Sequence, residues 1–107
     1  MQDSIEAKLI KLSERLSEIE KQLIEESSTL NQDDLISLNK EFSHIQPIVD
    51  LYSKYLKVLD ENTQAISLSK SDENEIKELA QIEVEETENS MNEILGELNL
   101  LLLPVDE

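Results

Sequence analysis

The sequence predicts an all-α fold, an antiparallel helical bundle in which a long helical hairpin is joined by an N-terminal helix. Three observations carry that expectation. Apolar residues recur in alternating steps of three and four along three long stretches, the spacing of one face of an α-helix. Turn-forming residues are scarce, with one Gly and two Pro among 107 residues. The two polar connections, near residues 27–31 and 68–72, are short enough to fold the chain back on itself. A coiled coil between chains could use the same stripes, but connections this short favour a bundle within one chain. The expected organisation is a single helical domain over residues 1–107, with helices at about 4–26, 32–68 and 72–102.

The first stripe is Ile5, Leu9, Leu12, Leu16, Ile19 and Leu23, without a missed step. Asp3, three residues before Glu6, offers a capping-box start, and the polar run from Glu25 to Thr29 continues the helix poorly. The second stripe runs Leu35, Leu38, Phe42, Ile45, Val49, Tyr52, Leu56, Leu59, Thr63 and Ile66. Pro47 lies inside it, where it removes one backbone hydrogen bond and crowds the preceding turn. The heptad phase continues across Pro47, so the expectation is one kinked helix and not two helices with a loop between them. The third stripe, Ala80, Val84, Thr87, Met91, Ile94, Leu98 and Leu101, is opened by Asp72 followed by Glu75 and stops at Pro104. Gly96 in that stretch marks either a close helix contact or fraying. From Leu98 to Val105 the chain is apolar all round except for Asn99, more than one core can absorb. Leu100, Leu102 and Leu103 are therefore expected to be at least partly exposed, awaiting a cover from outside this chain.

Only Phe42, Tyr52 and Tyr55 are aromatic, so the core must be built from Leu, Ile and Val. The absence of Cys excludes disulfides and thiolate chemistry and fits a reducing compartment. No basic region followed by an apolar run opens the chain, and no segment approaches a membrane span, so a cytoplasmic protein is expected. With 25 acids against nine bases, the net charge of −16 argues against direct binding to nucleic acid or an anionic membrane. Between residues 71 and 97 ten acids face Lys77 alone, which reads either as a solvated face or as a surface for a basic partner.

No catalytic, cofactor-binding or metal-ligating residue is expected, and the chain is not expected to be an enzyme. The single histidine, His44, has no neighbouring nucleophile arrangement. The acidic pairs Asp33-Asp34 and Glu85-Glu86 act as acid and base only in a cleft that separates their pKa values, and a small bundle leaves them exposed. Calcium-loop spacing is missing, and one glycine cannot make a phosphate loop.

Three stretches carry a resemblance. The run from Lys40 to Tyr52, with Glu41, Phe42 and the Pro47-Ile48-Val49 segment ahead of Tyr52, is similar to a long helix of the bacterial class I peptide chain release factors. Asp72 to Glu83 is similar to the start of that family's next helix, and Leu100-Leu101-Leu102-Leu103-Pro104 followed by Asp106 resembles the junction where the release factor 1 N-terminal helical domain meets the codon-reading core. The resemblance covers nearly the whole chain, with its specificity in the proline-containing run and the tail. It implies translation termination at UAA and UAG, in a domain that contacts ribosomal proteins of the stalk and factor-binding region and meets the rest of the factor through its Leu100–Pro104 end. The family's decoding tripeptide and Gly-Gly-Gln loop lie beyond this junction, so no residue of either is carried over. The competing reading is a free-standing acidic helical adaptor or coiled-coil scaffold.

Overall fold

The computed structural model describes residues 3–103, Asp3 by its backbone alone. Three helices follow one another: α1 (Asp3–Glu25), α2 (Gln32–Leu68) and α3 (Asn74–Leu102). No strand occurs among the described residues, so the fold class is all-α. The chain divides into two compact units, Met1–Asp50 and Leu51–Glu107, and α2 contributes to both.

In the first unit α1 and the start of α2 form an antiparallel hairpin. The turn between them is tied by hydrogen bonds from the Thr29 and Leu30 amides to the Glu26 carbonyl, each 3.0 Å. Asn31 then caps α2, its Oδ1 accepting the Asp34 amide at 2.8 Å, and Asp33 and Asp34 sit in the first turn, where the helix dipole favours acids. Leu16, Ile19 and Ile45 are the buried centre, with Leu12, Leu23, Leu38, Phe42 and Val49 packed around them. Four of these come from the stripe of α1 and four from the stripe of α2, so one apolar face of each helix builds this core.

In the second unit α2 from Leu51 onward pairs antiparallel with α3. Amides of Ser69 and Ser71 donate to the carbonyls of Ala65 and Leu68 at 2.9 and 3.0 Å, closing the turn. The helix expected to open at about Asp72 starts two residues later. Ser71 Oγ accepts the Glu73 amide at 3.1 Å, and the helix begins at Asn74 behind an extended Glu73 without a side-chain cap. Tyr52, Tyr55, Ala65, Ala80, Ile94 and Leu98 are buried here, together with the polar Asn62 and Thr87.

Helix α2 is unbroken across Pro47, as expected, but the reasoning from an unchanged phase needs correction. The first part of the stripe holds: Leu35, Leu38, Phe42, Ile45, Val49 and Tyr52 are buried or half-buried. Further on the buried positions are Tyr55, Asn62 and Ala65, while Leu56, Leu59, Thr63 and Ile66 are exposed. The two parts of the helix serve different partners, α1 first and α3 later, and one heptad phase cannot follow both. Gly96 is exposed and a Cβ there would meet nothing within 4 Å, so it does not permit a close helix contact.

Candidate functional site

The chemistry-bearing side chains are spread along helix surfaces. His44 is exposed on α2, Asp33 and Asp34 lie exposed in its first turn, and Glu85 and Glu86 are exposed on α3. Helix geometry sends neighbouring carboxylates around the axis and not into one cleft. Among the described residues no group of three or more His, Asp or Glu side chains is placed to hold a metal ion. No helix among them is long and apolar enough to cross a membrane.

One ion pair is built with care. Arg15 of α1 forks onto Glu41 of α2, Nε to Oε1 at 2.6 Å and Nη2 to Oε2 at 2.8 Å, while its Nη1 reaches Glu18 at 3.3 Å. The hydrogen bond from Arg15 holds the Glu41 carboxyl below its ordinary pKa. Both side chains are more than a third exposed, so water screens the pair and it orients the first hairpin more than it stabilises it.

Two apolar features stand out among the described residues. The first is the end of α3. Leu98 is fully buried, whereas Leu100 is 71% exposed, Leu101 and Leu103 are also exposed and Leu102 is half-buried. The helix ends at Leu102, and Leu103 is extended at φ −65° and ψ 141°, the backbone favoured by a residue that precedes proline. Pro104 itself, the expected stop, lies outside the described residues. The second is a cleft of about 270 Å³ near the α2–α3 turn, lined by Glu61, Gln64, Ala65, Leu68, Ile76, Leu79, Ala80 and Glu83. Sequence periodicity missed it, because Leu68, Ile76 and Leu79 fall between the stripes; they were legible only as apolar residues without a stripe to join.

These features define an all-α module of strongly acidic composition. The PCRF domain family matches residues 12–107, and the chain belongs to that family, the helical domain of peptide chain release factors. Membership ties it to translation termination and to the ribosome. No solved structure matches the chain.

Proposed function

We propose that the chain is the N-terminal helical domain of a release factor of the release factor 1 type, which directs peptide release at UAA and UAG. In this reading the domain is a cytoplasmic protein-contact arm toward the stalk and factor-binding region of the ribosome. It has no decoding, catalytic, cofactor or nucleic-acid role of its own. The family match over residues 12–107 carries the reading, and the net charge of −16 supports protein over RNA as its direct contact. The branch within the family rests on the leucine-proline tail from Leu100 to Pro104.

Ribosomes carrying labelled peptidyl-tRNA at UAA, UAG or UGA provide the test. The purified chain is expected to release no peptide at any of the three codons. Grafted in place of the helical domain of a UAA- and UAG-reading factor, it is expected to support release at both. Release above background by the chain alone would sink the contact-arm reading, as would an inactive graft that still folds. The reading frame after Glu107 tests the branch: it must encode the Gly-Gly-Gln loop and a UAA/UAG-type tripeptide, and a frame that stops at Glu107 points to the free-standing adaptor.

The exposed leucines have a place in this reading as the seat for the rest of the factor. Each large apolar side chain left in water forgoes burial worth about 1.5 to 3 kcal/mol, so a cover is favoured. Hydrogen exchange on this chain and on the longer factor is expected to show the amides of residues 100–103 better protected in the latter. Equal protection in both would mean that nothing docks at this end.

A further inference from the structure

We propose that the cleft beside the α2–α3 turn is a docking groove for a basic amphipathic helix of a partner protein. The proposal rests on the contact-arm reading and names the surface that makes the contact. Leu68 and Leu79 are 54% and 68% exposed, and with Ile76 they give the cleft apolar walls. Ala65 and Ala80 are buried members of its lining, and their small side chains leave the space that larger residues would fill. A surface cleft between two helices with apolar walls accepts the apolar face of a third helix.

Charge selects the occupant. Glu61 and Glu83 belong to the lining itself, and between residues 60 and 88 ten acids stand against Lys70 and Lys77. Among the described residues every ion pair is made by Arg15, so none of these acids is ion-paired. A helix with Lys or Arg flanking its apolar face would meet complementary charge on both rims. A second copy of this chain would bring acids against acids, and nucleic acid or an anionic membrane would be repelled in the same way.

The probe is a short leucine–lysine peptide with leucines at helical spacing, compared with a scrambled peptide of the same composition. Binding is followed by backbone amide shifts of the full 107-residue chain. Shifts are expected on residues 61–83, with the scrambled peptide bound at least about tenfold more weakly, because apolar anchors and not bulk charge dominate a docked interface. Leu79→Ser and Leu68→Ser are each expected to weaken the patterned peptide by roughly tenfold. Both sites are exposed, so the far-UV circular dichroism should be unchanged. Ile24→Ser, on the other unit, should bind like the parent. Wild-type affinity in both groove variants would overturn the proposal, as would shifts spread along residues 71–97, the mark of plain charge attraction. Self-association that Leu79→Ser abolishes would also overturn it, by showing a second copy as the occupant. The grafted release factor separates this failure from that of the arm: an active graft with an unbound peptide condemns the groove alone, and an inactive graft condemns the arm.

Discussion

Truncating Ile19 to alanine is expected to destabilise the protein by about 3 kcal/mol, within the roughly 2 to 5 kcal/mol typical of large-to-small changes at filled core sites. Ile19 is fully buried, at the centre of the cluster formed with Leu16 and Ile45. Its neighbours come from both helices of the first hairpin, so neither backbone can collapse into the void without giving up contacts of its own. For a domain of this size about 3 kcal/mol is a large share of a total stability of roughly 5 to 15 kcal/mol. It corresponds to a melting point lower by roughly 10 to 20 °C. Urea titration followed by far-UV circular dichroism measures the loss. Ile24→Ala is the matched control: five residues along the same helix, Ile24 is 79% exposed, and its truncation should change stability by less than about 0.5 kcal/mol. Equal losses in the two variants would mean that the first hairpin is not packed around Ile19.

The contrast between Ile19 and Ile24 was legible in the sequence, since the first belongs to the α1 stripe and the second does not. Legibility was high wherever a helix faces one partner. Every member of the α1 stripe is buried or half-buried, and in α3 Ala80, Thr87, Ile94 and Leu98 are buried and Val84 and Met91 half-buried as the period requires, whereas Leu101, expected on the same stripe, is exposed at the helix end. It failed along α2 beyond Tyr52, because period alone does not reveal that a helix changes partner partway. There the sequence favoured Leu56, Leu59 and Ile66 on apolarity, and the fold buried Tyr55, Asn62 and Ala65 instead. A small residue at 65 and an amide at 62 look like surface positions until their partners on α3 are known. The leucine-rich end was legible for a different reason: five leucines in under two turns exceed what any single face can hold, whatever the fold. The groove was not legible, because exposed apolar residues on a helix become a site only when a second helix supplies the other wall.

Asn62 supports the second large effect, an asymmetry between two halves of one buried contact. Its Nδ2 donates to Thr87 Oγ1 at 2.9 Å, with the Val84 carbonyl at 3.5 Å. Thr87 in turn donates its hydroxyl proton back along α3 to the Glu83 carbonyl at 2.8 Å. Both residues are buried, and among the described residues no buried side-chain polar atom lacks a partner. Thr87→Val keeps the side-chain shape and removes the acceptor, leaving the Asn62 amide in an apolar setting with one long contact. Leaving a buried donor unpaired costs about 1 to 3 kcal/mol, and that loss is expected in this variant. Asn62→Leu should cost much less, because the Thr87 hydroxyl keeps its own carbonyl and the new side chain has nearly the old branching. The double variant removes both polar groups, so it should recover most of the Thr87→Val loss, giving a coupling energy of about 1 to 2 kcal/mol. If the two single losses instead add in the double variant, Asn62 and Thr87 do not depend on one another, and the polar pair is not what matches α2 to α3 at this level.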